Sequence, residues 1–439
     1  MKKNKPNIAI ITLGCPKNQV DSEVMAGILE DNGLKIVRDV SNAETVLINT
    51  CGFIESAKQE SIEAILKIIN LRKNGKPKIY VWGCLSERYK KEIAEELPEV
   101  DGFFGIEPFE KMARLLGSPD YSSQEDGVYR PYLSTPPHTA YLKIADGCDH
   151  LCTFCAIPII KGPYRSRTPD SLIREAEVLA GRGVKELILI AQDTTRYGMD
   201  LKDSTDLCDL LERLILIDGV QWIRIMYAHP DHLDDKLVTL MASEEKICRY
   251  LDIPLQHISD PILKKMGRGS TRQTLVRLIT MLRDRIPGLV LRTSFIVGFP
   301  GETDIFFNEL LSFIKDIRFE RLGVFMYSAE EGTKAVEYRE TVERKTVEKR
   351  YTAIMNMQNK IASEINRSFE KTVLPVIIDG FDASQKLFFG RSEGDCLEID
   401  QTVWMKGNAQ VGDIVPVRIK ASSSYDLMGD IINRSKKGV

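Results

Sequence analysis

Six short apolar runs in the middle of this chain, separated by stretches of helical spacing, leave it few ways to fold. They cover residues 141–145, 186–191, 222–226, 250–255, 290–297 and 321–326. A run that is apolar at consecutive positions is buried on both faces, and two such runs joined by a helix lie parallel. Helical stretches such as 170–182 and 271–285 supply the crossovers. Six βα repeats predict an incomplete TIM-like barrel, shorter than the eight-repeat closed form. Residues 342–371 contain neither Gly nor Pro and read as one long helix that closes the unit.

The flanks have a different texture. Residues 8–13, 45–49 and 78–83 are apolar strand candidates, and 54–74 is a helix with Ile62, Ile65, Leu66 and Ile69 on one face and Asn74-Gly75 as its stop. This predicts an N-terminal doubly wound parallel α/β domain over residues 1–120. A Ser-, Pro-, Asp- and Gly-rich linker follows at 121–138, and the barrel with its closing helix spans 139–371. From 372 to 439, short β-rich runs alternate with turns such as Asp379-Gly380 and Lys406-Gly407, predicting a small antiparallel OB-like β-barrel.

Composition narrows the class of protein. With 43% hydrophobic and 28% charged residues, the chain is ordinary globular material, and disordered, collagen-like and coiled-coil proteins are excluded. No apolar run approaches the roughly 20 residues of a membrane span. The basic start Met-Lys-Lys-Asn-Lys-Pro leads into an apolar stretch too short for a secretory signal core. A cytoplasmic protein without a membrane partner is expected. The net charge of −3 gives no global reason to expect a nucleic-acid binder.

The nine cysteines carry most of the chemical information. In a reducing compartment they are core thiols, nucleophiles or metal ligands. Cys148, Cys152 and Cys155 share the segment Gly147-Cys-Asp-His-Leu-Cys-Thr-Phe-Cys-Ala156, directly after the first barrel strand. Three thiolates this close can wrap one corner of a 4Fe–4S cluster, which normally takes four, and so leave one iron open. A Cys3His zinc site with His150, or three core thiols, are the alternatives. Cys15, Cys51 and Cys84 follow the three N-terminal strands, each within two residues of a strand end. Parallel strands present their C-terminal ends along one edge, so these three should converge on a second three-thiol site. Cys208, Cys248 and Cys396 are scattered.

The C-x3-C-x2-C spacing, with Phe154 before its last cysteine, resembles the radical S-adenosylmethionine (SAM) superfamily. The resemblance implies that Cys148, Cys152 and Cys155 hold a 4Fe–4S cluster whose open iron is chelated by SAM, and that one electron cleaves SAM to a 5′-deoxyadenosyl radical. It also implies SAM contacts at Gln192 and Asp193 after the second strand and at Val297 and Gly298 after the fifth. Gln256 is a ribose candidate at the end of the fourth. Asp193 could equally be a helix cap, and Gly298 part of a plain Pro-Gly turn. His229 and His257 fall at strand ends and receive no role.

Together, the three-cysteine α/β domain, the barrel and the C-terminal unit resemble the methylthiotransferase family across essentially the whole chain. The last unit looks like its TRAM domain. Family members place a methylthio group on an unactivated carbon. The resemblance implies a second, sulfur-handling 4Fe–4S cluster on Cys15, Cys51 and Cys84, a sulfur source, and a low-potential electron donor of flavodoxin or ferredoxin type. The segment Leu13-Gly-Cys-Pro-Lys-Asn-Gln-Val-Asp-Ser-Glu23 is similar to the branch that modifies the β-carbon of an aspartate in ribosomal protein uS12. The alternatives are a tRNA adenosine methylthiotransferase and a non-catalytic iron–sulfur electron carrier. The last 68 residues carry eight Lys/Arg against nine Asp/Glu, a balance that suits a basic ribosomal protein better than a phosphate backbone.

Overall fold

The computed structural model describes residues 6–106, 109–116, 130–202 and 204–432. Its first unit is a parallel sheet of β1 (Asn7–Thr12), β2 (Lys35–Ile36), β3 (Thr45–Thr50), β4 (Lys78–Gly83) and β5 (Gly102–Phe103) in the order β2-β1-β3-β4-β5. Alternate residues serve opposite faces. Val46 and Ile48 pack with Ile65 and Ile68, while Leu47 meets Met25 and Leu29 on the other side. Strand order reverses between β1 and β3, and such a switch point opens a crevice at the strand ends. Cys15 and Cys51 flank it.

The second unit holds β6 (Thr139–Lys143), the small ribbon β7 (Ala145–Asp146) and β8 (Arg165–Ser166), then β9 (Glu186–Ile190), β10 (Trp222–Ile225), β11 (Ile247–Asp252), β12 (Val290–Val297) and β13 (Arg321–Met326). Six of these form one parallel sheet in strict chain order, β6-β9-β10-β11-β12-β13. β11 begins and ends three residues before the 250–255 run. Pro254 lacks the amide a ladder needs, and Gln256 turns the chain at φ +69. Leu187 and Leu189 face the surrounding helices, whereas Ile188 and Ile190 face the hollow of the open barrel.

Two other parts of the chain fill that hollow. The helix Pro16–Asp31 contributes Val20, Val24 and Ile28, and the segment after β15 (Leu387–Ser392) contributes Cys396 and Leu397, all packed with Tyr141, Ile188, Ile190, Trp222 and Tyr250. The helix Arg344–Ser368 lies along β13, as the Gly- and Pro-free stretch suggested. Part of the anticipated linker is tightly held. Arg130 is fully buried and bonds Glu23 at 2.6 Å and Glu175 at 2.5 Å, whereas residues 121–129 of that stretch lie outside the described residues.

The last unit closes a five-stranded barrel from β14 (Val373–Asp382), β15, β16 (Thr402–Lys406), β17 (Ile414–Ser422) and β18 (Asp426–Ile431). Its pairings are antiparallel except for the parallel β16–β18 pair. Three of its acidic side chains are turned inward. Asp395 pairs with Arg321, Asp400 with Tyr250 and Arg292, and Asp379 with His138 and Arg391, all at the junction with the larger barrel. Lys386, Lys406, Arg418 and Lys420 are exposed, as are Glu398 and Asp426. The whole-domain balance of charge is therefore not the charge of its free surface, because Asp379, Asp395 and Asp400 are spent at the junction.

Candidate active site: two cysteine triads

The strand-end triad is assembled by topology. Cys15 caps the helix Pro16–Asp31, Cys51 follows β3, and Cys84 opens the helix Cys84–Glu96. Gly14 shows how close the first two are: at φ +92, a Cβ added there would sit 2.6 Å from Cys51 Cβ and 2.9 Å from its Sγ. Asn18 locks the arrangement. Its side-chain amide donates to the carbonyls of Leu13 (2.9 Å) and Thr50 (3.2 Å), and its Oδ1 faces Cys84 Sγ at 4.0 Å. Asn49 returns the bond to Asn18 O at 2.9 Å, and Thr50 donates to Trp82 O at 2.7 Å. Three loops from three βα units are thus tied by buried side-chain amides and a hydroxyl. Asn18 and Asn49 escaped the sequence reading, although an Asn three residues past a capping cysteine was the available signal.

The loop triad is held from outside. Cys148 N donates to Gly162 O at 3.1 Å and Cys155 N to Cys152 O at 3.2 Å. Between them Thr153 bonds Met266 O and Lys265 O at 2.9 Å each and accepts from Ala335 N at 2.8 Å. The Arg268 guanidinium lies 3.9 Å from Cys152 Sγ. Phe154 packs edge-on to Phe299 with ring centroids 6.5 Å apart.

The two triads share one seam. Cys84 packs with Ala156 and Ile160, so the strand-end triad touches the residue that follows Cys155. Lys143 and Lys161 bridge Asp21 of the first unit to Asp146 of the second. Arg88 pairs with Glu330 at 2.9 Å across the same seam.

Electrostatics fit cation-bound thiolates on both sides. Burial, and then the neighbouring thiolates Cys15 and Cys51, hold Cys84 up at about 12 despite Lys161. Burial, with Cys152 and Cys148 beside it, holds Cys155 at about 12, and burial holds Cys148 at about 11. Thiols in such surroundings ionise at neutral pH only when a metal compensates the charge. Three converging thiols per site are a donor set for a cluster with an open iron.

The other anticipated residues divide. Gln192 donates to Asp146 at 2.7 Å, and its Oε1 is buried without a hydrogen-bond partner. Asp193 is saturated within the protein. His150 (2.7 Å) and His232 (2.8 Å) occupy Oδ2, and Thr195 occupies Oδ1. Burial opposes its ionisation, but these bonds more than offset that, and the carboxyl lies well below its usual range. Its cap of the short turn Thr194–Arg196 is therefore real, and His150 is a positioned loop residue. His229 stacks on His150 with centroids 4.2 Å apart. Val297 O accepts from Tyr327 N at 2.9 Å. Gly298 N donates to Glu302, and a Cβ at Gly298 would lie 2.4 Å from Val347, so this glycine at φ +77 is required by the closing helix before any ligand. Gln256, half-buried at positive φ, carries local strain at the barrel mouth. His257 Nε2 faces Glu302 Oε1 at 3.6 Å, inside the protein.

Comparison with known proteins agrees with this layout. Residues 7–105 match the uncharacterized protein family UPF0004, residues 142–314 the radical SAM superfamily, and residues 372–432 the TRAM domain. Among solved structures, the radical SAM methyltransferase TsrM from Kitasatospora setae superposes with a TM-score of 0.52 at 16% identity, covering 73% of each chain. The cobalamin-dependent radical SAM enzyme OxsB gives 0.54 at 13% identity over 80% of this chain and 56% of that one. These likenesses show the fold. The class is that of radical SAM enzymes with an N-terminal cysteine-bearing α/β domain and a C-terminal TRAM barrel.

Closer relatives specify the branch. The chain is 45% identical to ribosomal protein uS12 methylthiotransferase RimO of Geotalea uraniireducens, over 98% of this chain and 99% of the relative. It is 46% identical to the RimO of Pelobacter propionicus, over 98% and 99%. The chain belongs to the RimO family of ribosomal protein uS12 methylthiotransferases. The tRNA alternative is not favoured. No helix among the described residues is long and apolar enough to cross a membrane.

Proposed function

We propose that this chain transfers a methylthio group to the β-carbon of an aspartate in ribosomal protein uS12, in the cytoplasm. The observation that carries the reading is the shared seam: Cys84 packs against Ala156 and Ile160, which supports a sulfur-handling site and a radical-generating site that serve one substrate. In this reading Cys148, Cys152 and Cys155 hold the SAM-binding 4Fe–4S cluster, and Cys15, Cys51 and Cys84 hold the second. The division of labour follows 1–120, 121–138, 139–371 and 372–439. When bound, the first cluster and SAM supply what no side chain can, a radical able to take hydrogen from an unactivated carbon.

The chain's own groups bind, orient and exclude water. Gln192 Oε1 would accept from the SAM amino group, with Asp146 fixing the amide that presents it. Phe154, Val297, Gly298 and Gln256 would hold the remaining SAM surface. Asp193 positions the cluster loop through His150 and holds no ligand directly. The helix Pro16–Asp31 closes the barrel hollow with Val20, Val24 and Ile28, which keeps water from the radical's path. Electrons come from a flavodoxin- or ferredoxin-type donor and sulfur from an external source.

The test is anaerobic reconstitution with iron and sulfide, followed by incubation with SAM, a low-potential reductant and uS12. One aspartate should gain about 46 Da, the replacement of H by SCH3. Modification of tRNA adenosine with the aspartate untouched would overturn the reading.

A further inference from the structure

We propose that Lys17 recognises the carboxylate of the substrate aspartate and so selects an acidic side chain for methylthio transfer; this rests on the reading above. Lys17 lies two residues past Cys15, and its ammonium reaches across the seam. Nζ donates to Ala191 O at 3.2 Å, at the mouth of β9 next to Gln192. It also lies 3.8 Å from the centroid of the Tyr227 ring, just beyond β10. The cation therefore sits between the strand-end triad and the barrel mouth.

This cation has no direct ion pair, and the opposite charges nearest to it, Cys15, Asp146 and Asp252, act on it from further off. Among the described residues no carboxylate lies within ion-pair distance of its Nζ, whereas the acids around it are engaged elsewhere. Asp21 pairs with Lys143 and Lys161. Asp146 pairs with the same two lysines and accepts from Gln192. Asp252 pairs with Arg292 at 2.8 Å and accepts from Tyr227 N at 3.2 Å. Enclosed charges are ordinarily paired, because desolvation without a partner is costly. An ammonium has three donors, and one carbonyl accounts for one of them. The ring face stabilises the charge without neutralising it.

Tyr227 adds an independent sign of design. It is a bulky residue at φ +59, a conformation that is a genuine outlier for such a side chain. The strain is tolerated with its amide tied to Asp252 and its ring under the ammonium. Lys17 itself stays half-buried, so an acceptor can still approach it. A carboxylate bound there holds its β-carbon one bond away, in the seam between the two triads. The site discriminates by charge, since an asparagine of the same shape cannot form the pair.

The experiment measures binding of two fluorescein-labelled uS12 peptides to the reconstituted holoenzyme by anisotropy. One carries the target aspartate and the other asparagine. The native enzyme should prefer the aspartate peptide by at least about tenfold, the scale of one charge-assisted hydrogen bond. Lys17→Met should bring the ratio to about one, with iron content unchanged. Lys17→Gln serves as a second neutral variant should Met lower the iron content. Lys17→Arg should keep a preference for aspartate. A native ratio near one, or an unchanged ratio in both neutral variants, would overturn the proposal. Mass spectrometry of uS12 incubated with the native enzyme separates the two levels. An unmodified aspartate sinks the functional reading, whereas a modified aspartate with an unaltered ratio sinks only the role of Lys17.

Discussion

The two cysteine triads solve one chemical problem in opposite ways. Cys148, Cys152 and Cys155 lie within eight residues on one loop, and the barrel braces that loop through Thr153 and Gly162. Cys15, Cys51 and Cys84 lie 36 and 33 residues apart and meet only because β1, β3 and β4 run parallel. The loop triad is a local feature supported by tertiary structure; the strand-end triad is tertiary structure. A local site tolerates remote damage, and an assembled site should fail when any one of its loops shifts.

Triple replacement of each set by alanine is the strongest way to break this comparison. Loss of Cys148, Cys152 and Cys155 should reduce the iron from about eight to about four per chain and abolish deoxyadenosine formation. Loss of Cys15, Cys51 and Cys84 should also remove about four irons, abolish methylthio transfer and leave SAM cleavage running. Iron analysis with product chromatography reads both. If the second variant lost SAM cleavage as well, the triads would be one coupled unit across the Cys84–Ala156 contact, and the contrast would collapse.

The same contrast decides what could be read from sequence. The loop triad was visible as spacing alone. The strand-end triad needed the inference that three apolar runs are parallel strands, and Val46, Ile48 and Val81, buried on both sides, made that inference possible. Runs 290–297 and 321–326 coincide with β12 and β13, because consecutive apolar residues in a parallel sheet start and stop together. The polar ties were illegible. Asn18 and Asn49 are unremarkable in sequence and acquire meaning only when two loops meet. The junction was illegible for a related reason: net charge does not reveal that Asp395 and Asp400 point into it. Gly298 was read as room for a ligand, and what no sequence reading supplied is that its missing Cβ also makes room for Val347.

That junction sharpens the comparison with a smaller, thermodynamic effect. Asp395 is fully buried, bonds Arg321 at 2.6 Å and accepts from Ser392 at 2.5 Å. Asp395→Asn leaves the Arg321 charge uncompensated, and breaking a buried pair costs about 3–5 kcal/mol. Thermal unfolding should shift down by several degrees, whereas iron bound by the loop triad at low temperature should be retained. Deleting residues 372–439 removes every such partner at once, so SAM cleavage should not survive that truncation. This reverses the simpler expectation that the two barrels are separable. A stable, SAM-cleaving fragment ending at Lys371 would show that the junction is dispensable.

Asn18 offers the most discriminating change with the smallest energy. Its amide spans Leu13 O and Thr50 O, and Asn49 bonds its backbone carbonyl, so one side chain joins two of the three cysteine-bearing loops. Asn18→Leu keeps a comparable volume and removes both donors. Each carbonyl left without a partner inside the protein costs about 1–3 kcal/mol, less where water reaches it. The first unit should lose stability of that order in a denaturant titration, because β1 and β3 remain paired through their backbone. The effect on iron should be uneven. The strand-end triad should bind its iron less completely, since the Cys15 and Cys51 loops lose their shared tie. The loop triad has no bond to Asn18 and should fill normally, so SAM cleavage per bound cluster should stay at the native rate. Equal loss of iron from both triads would mean that the seam and the strand ends act as one body, and an assembled site would then be no more fragile than a local one.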